Sequence, residues 1–124
     1  MPTHATYIGI VPRTAIPTAV ALVRGVRVTK DTSGTVAVSA IGVRGDYVTI
    51  TSCDASEPVQ VASLQGGGKV PALASEATTV GAAAYSAAAG KFSVTATNAI
   101  LVGKWTMAAS GDGVLGEVEL SNPA

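Results

Sequence analysis

Residues 83–120 constrain this chain more than any other stretch. Apolar side chains recur at every second position in Lys91–Ala96 and Val114–Leu120, and Gly turns separate the segments. In Lys91–Ala96, Phe92 and Val94 share one face. Ile100–Ala109 is a longer apolar run, interrupted by Gly103 and Lys104. Gly111-Asp112-Gly113 then turns the chain into Val114–Leu120, where Val114, Gly116, Val118 and Leu120 lie on one side and Glu117 and Glu119 on the other. Side chains alternate across a strand, so a period of two between turn residues marks hairpins. The stretch predicts strands joined by Gly turns, with the rest of the chain packed against them.

The upstream sequence reads the same way. Ala21–Thr29 predicts a strand with Gly25 as a bulge, Asp31–Gly34 a tight turn, and Thr35–Ile41 a second strand. Gly42–Asp46 is a loop. Tyr47–Thr51, Val59–Leu64 and Lys69–Leu73 predict further strands, with Pro58 at a strand start and Gly66–Gly68 a hinge-like turn. Residues 74–79 read as an irregular link. Gly81–Gly90, GAAAYSAAAG, admits a short helix because alanine favours one; its flanking glycines favour strand or loop. Short segments separated by Gly34, Gly45, Gly66, Gly90, Gly103 and Gly111 predict an all-β fold, a small β-barrel or β-sandwich with at most one short helix. Residues 1–18 carry Pro2, Pro12 and Pro17, which predict an extended N-terminal arm ahead of one domain spanning 19–124.

Composition narrows the function. Charged residues make up 13% of the 124, against roughly a quarter in an average domain, and eight basic residues balance eight acidic ones. A neutral chain lacks the basic stripe that neutralises phosphates, so no nucleic-acid partner is expected. Low charge implies that part of the surface is covered by other protein, often further copies. No apolar run reaches the ~18–20 residues of a membrane span, and the N-terminus lacks a signal-peptide pattern. Cys53 is alone and reads as a small buried hydrophobe.

Motifs that resemble chemistry carry little of it. Gly111–Gly116 matches G-x-G-x-x-G, but a dinucleotide site needs a helix to open on the last glycine, and a strand pattern follows instead. Gly66-Gly67-Gly68-Lys69 lacks the full phosphate-loop spacing and reads as a hairpin turn. Arg44-Gly45-Asp46 spells an integrin-binding tripeptide yet is ordinary turn chemistry. His4 is the sole histidine, far in sequence from Cys53, and Asp54 and Glu57 read as a solvated pair. No catalytic, cofactor or metal site is expected. Tyr7-Ile8-Gly9-Ile10-Val11 is a short apolar run that either frays or pairs with a partner's sheet edge. Trp105 belongs to the core or to a contact between copies.

An ordered set of features resembles the small capsid decoration, or cement, proteins of tailed bacteriophages. They are Val23–Val28, Ala40–Val43, Glu57–Val61, Tyr85–Phe92, Val102–Trp105, Ala108–Gly113 and Val114–Leu120, spanning roughly residues 20–120. Lys104 and Trp105 stand where that family often has a small residue and then an apolar one. The resemblance implies a β-tulip-like barrel or sandwich on the outer surface of the virion head, made in the host cytoplasm. It implies binding to the major capsid protein after head expansion, clamping of neighbouring capsid subunits, and self-association, with a trimer favoured. The expected capsid-binding arm residues are Tyr7, Ile8, Ile10, Val11 and Arg13, and the expected self-association residue is Trp105. The alternatives are another virion β-module, from a tail tube or fibre, and a carbohydrate-binding β-sandwich.

Overall fold

Runs rich in valine and threonine, each three to seven residues long, supply most of the regular structure. The computed structural model describes residues 13–17, 21–30, 35–54, 57–64 and 68–121. Within them lie β1 (Arg13–Pro17), β2 (Arg27–Lys30), β3 (Thr35–Val38), β4 (Tyr47–Thr49), β5 (Val59–Ser63), β6 (Gly68–Leu73), β7 (Ala83–Ser86), β8 (Phe92–Ser93), β9 (Leu101–Met107) and β10 (Leu115–Leu120). The all-β expectation holds.

The strands form two sheets. In the first, hydrogen-bonded neighbours run β1-β3-β2-β4-β5 and return to β1, so the pairing closes on itself. One link is parallel, with Ile16 opposite Thr35 and Pro17 opposite Val36; β1 meets β5 antiparallel, with Arg13 opposite Val61. Residues 13–17, which the sequence assigns to the arm, are therefore a strand of this sheet. The extended backbone that the prolines predict holds at these residues, with Pro17 at the end of β1. Inside this ring Leu22, Val26, Val28, Val36, Val59 and Val61 pack together.

The second sheet is open, in the order β6-β10-β9-β7-β8. Its far edge bends back: Ala74 bridges Phe92 in parallel, and the Ser75 amide donates to the Phe92 carbonyl at 2.9 Å. Its core holds Trp105 and Phe92 among Val70, Ala72, Ala84, Val102, Val118 and Leu120. Val48, Ala62 and Leu64 join this second core, while Val59 and Val61 of β5 face the first. The β4–β5 hairpin is thus the wall between two interiors, and alternation along β5 serves both.

At Gly81–Gly90 strand and turn hold over the helix, as its flanking glycines favour, and one expectation, the bulge at Gly25, fails. Gly81–Gly90 holds no α-helix: Ala83–Ser86 is β7, and Ala88–Gly90 is a single irregular 3₁₀ turn in which Ala89 has φ 58°. Pairing with β8 and β9 supplies backbone hydrogen bonds that a short isolated helix cannot match. Gly25 is no bulge; it lies in the turn before β2, with φ 88°, and its carbonyl accepts the Leu73 amide at 2.8 Å.

Candidate functional site

The expected contact residues are placed unevenly. Tyr7, Ile8, Ile10 and Val11 lie outside the described residues. Arg13 is the first residue of β1, so its backbone belongs to the closed sheet. Of its two readings, core or contact between copies, Trp105 takes the core. Its ring has no exposed surface; its indole Nε1 donates to the Ser93 carbonyl at 3.2 Å, and it meets Phe92 edge-on, with ring centres 6.4 Å apart and planes at 78°. Trp105 faces Val118 across β10, which puts it inside the sheet, and in this conformation it offers nothing to a second copy.

The chemistry-like motifs resolve into scaffolding. Leu115–Leu120 is a strand, so Gly116 opens no helix over a pyrophosphate. Gly68 and Lys69 begin β6. In Arg44-Gly45-Asp46, the Arg44 guanidinium donates to the carbonyls of Leu101 (2.9 Å), Leu64 (3.0 Å) and Ser121 (2.7 Å), while the Asp46 carboxylate accepts the Lys30 amide at 2.9 Å. Both ends of the tripeptide are thus engaged by backbone groups, Arg44 half-buried and Asp46 at the surface. Glu57 accepts the Asp54 amide at 3.2 Å, closing a turn. Among the described residues, no group of three His, Cys, Asp or Glu is placed to hold a metal ion.

Arg27 is the least expected feature of the interior. It is fully buried, and its acceptors among the described residues are backbone carbonyls, those of Lys91, Ala40, Val43, Arg44 and Ala87. Its guanidinium lies 5.9 Å from the centre of the Phe92 ring. Desolvation pulls its pKa down to about 10, and it still carries its charge at neutral pH. The planar fork spreads that charge over several carbonyl dipoles. It also ties the 40–44 loop of the first sheet to the 87–91 turn of the second. Burial likewise lowers the pKa of Arg44. Nothing in V-R-G-V-R-V separates the buried Arg27 from the half-buried Arg24; the distinction arises only when the loops close over one of them.

These arginines fix the platform beneath an exposed apolar surface. Ile41, Val43, Ile100 and Leu101 are 40%, 43%, 39% and 49% exposed. The Ser86 hydroxyl donates to the Ile41 carbonyl and accepts the Ile100 amide, which brings Ile41 beside Ile100. Arg44 joins the residue after Val43 to Leu101. A groove of about 270 Å³ adjoins Leu101, lined by Gly103, Lys104, Glu119, Leu120 and Ser121. Lys104 stands opposite Glu119 across β9 and β10. The sequence shows Glu119 as an outward position, but the meeting of residues 41 and 100 depends on the long-range contacts of Ser86.

No protein-family model matches the chain, and no curated protein matches it. Among solved structures, the chain is similar to the N base of head fiber gp8.5 in bacteriophage phi29. The likeness has 19% identity and a TM-score of 0.67, and covers 90% of this chain and 94% of that one. It is a likeness of fold, extending over nearly the whole of both chains.

Proposed function

We propose that this chain is a structural protein of a tailed-phage virion. In this reading it is a decoration protein that binds the outer surface of the expanded head and clamps neighbouring major capsid subunits. The observation that carries the reading is the fold likeness to a phage head fiber base over 90% of the chain. The ordered sequence resemblance to cement proteins points to the same particle, and the role needs no covalent chemistry. The arm, with Tyr7, Ile8, Ile10 and Val11, docks on the capsid protein as an added strand, whose backbone bonds demand few particular side chains. Several copies, a trimer favoured, would gain avidity on a repeating lattice.

The position of β1 sharpens the test. Deleting residues 2–12 removes the proposed docking segment and leaves the closed sheet intact, whereas cutting past Arg13 would open it. The full chain should co-sediment saturably with expanded, undecorated heads and not with unexpanded ones, and the 2–12 deletion should lose binding while keeping its melting transition. Unchanged head binding by the deletion would sink the arm assignment, and absence of binding by the full chain would sink the head assignment. A second reading, favoured by the same likeness, is a base that attaches a fibre without strengthening the head. Bound heads whose heat resistance does not rise would select it.

A further inference from the structure

We propose that copies of this chain meet each other through the surface formed by Ile41, Val43, Ile100 and Leu101 together with the Lys104–Glu119 groove. The proposal deepens the self-association in the function above and rests on that reading for its purpose. It replaces Trp105, which is buried, with residues that are exposed.

Single exposed aliphatic side chains are ordinary on a protein surface. Here four of them gather on a platform whose backbone is held from below. Ser86 bridges residues 41 and 100, and Arg44 holds Leu101, Leu64 and the chain at Ser121. A rigid apolar surface loses little conformational entropy when a partner covers it.

The adjoining charges select the partner. Lys104 and Glu119 are opposite in register, yet among the described residues the ion pair that forms is Lys91 with Asp112. The two charges on the rim of the groove are therefore available to a neighbour. One cation beside one anion is self-complementary: a second copy can set its Glu119 against Lys104 and its Lys104 against Glu119. A strongly acidic or basic partner would match one charge and repel the other. The whole chain has zero formal charge, so copies carry no net repulsion.

Four side chains and a groove fall short of the ~800 Å² per partner of a stable interface. The contact is accordingly weak in solution and strengthens when copies are held side by side.

The test is sedimentation of the full chain without heads, so its outcome is separate from the head-binding result. The wild type should associate with rising concentration. Lys104→Glu and Glu119→Lys should each weaken association about tenfold, and an equimolar mixture of the two should recover it, because each then meets its opposite. Leu101→Asp should weaken it further, and Val23→Asp, at an exposed valine elsewhere, should leave it unchanged. If Leu101→Asp fails to fold, the charge exchange still decides. A monomer up to about 1 mM, association indifferent to the exchanges, or a mixture no better than its components would overturn the proposal.

Discussion

The two sheets fill their interiors in opposite ways. The closed sheet packs six aliphatic side chains, Leu22, Val26, Val28, Val36, Val59 and Val61, each occupying its own share of space. The open sheet concentrates volume in Trp105 and Phe92 and packs them among Val70, Val102, Val118 and Leu120 as well as Ala72, Ala74, Ala84 and the backbone of Gly116. A Cβ on Gly116 would lie 2.8 Å from the Trp105 ring. Where β10 passes the Trp105 ring an added side chain does not fit, so glycine, a poor strand former, stands at Gly116. Interior packing, not propensity, specifies it.

Removing the aromatic should therefore break the comparison most severely. Trp105→Ala should cost about 3–5 kcal/mol, because the packed strands around it relax only partly into the cavity and the Ser93 carbonyl loses its donor. Val36→Ala in the closed sheet should cost less, about 1–3 kcal/mol, since fewer buried atoms are removed. Denaturant midpoints measure both. Equal losses would mean that the two interiors are not differently built.

Next comes the close approach of the backbones. A Cβ on Gly103 would lie 2.0 Å from the Glu119 carbonyl oxygen, so β9 and β10 must separate to accept it. Gly103→Ala should cost about 3 kcal/mol, the upper part of the range for overpacking. Gly111, in the turn between the same strands, has nothing within 4 Å of its Cβ position, and Gly111→Ala should leave the midpoint nearly unchanged. Comparable losses at both positions would show that the effect is one of glycine in general, not of this contact.

The same contrast explains what was legible in the sequence. Strands β3, β4 and β5 follow their valines and threonines, and β10 follows its alternation, with Gly116, Val118 and Leu120 buried. Ala83–Ser86 was ambiguous because alanine favours helices, and only pairing with β8 and β9 makes it a strand. Arg13–Pro17 was hidden because its partners lie in residues 35–36 and 59–61, and no local pattern reports them. Trp105 was recognisable as an anchor, but not as core rather than contact surface. The exposed surface around Ile41 and Ile100 was illegible for the same reason: its halves lie far apart in sequence, and a buried serine brings them together.

Arg27 belongs to neither style of packing; it joins them. Lysine keeps the charge and much of the stem but offers three donors in place of a planar fork. Arg27→Lys should cost about 2 kcal/mol, the effect of leaving buried carbonyls without partners. The sign of its pH dependence follows from its lowered pKa of about 10. The folded chain holds this proton less tightly than the unfolded chain, so its burial opposes stability at every pH below about 10. That opposition fades only as pH climbs higher. Wild-type stability should accordingly show no arginine-linked change between about pH 5 and 9. A step there that disappears in Arg27→Lys would place the folded pKa far lower.

The smallest effect belongs to surface charge. Lys91 Nζ lies 2.8 Å from Asp112 Oδ1, linking the turn before β8 to the turn between β9 and β10. Both turns belong to the open sheet, so this ion pair is a rival explanation for what holds the sheet together. Asp112 is 68% exposed and Lys91 26%, which leaves the pair screened by water and salt. Asp112→Ala should shift stability by less than about 1 kcal/mol, and the difference should shrink further in high salt. The measurement is the denaturant midpoint of wild type and Asp112→Ala at low and high ionic strength. A loss approaching that of Trp105→Ala, persisting in salt, would mean that the open sheet is pinned at its turns and that its aromatic interior is secondary.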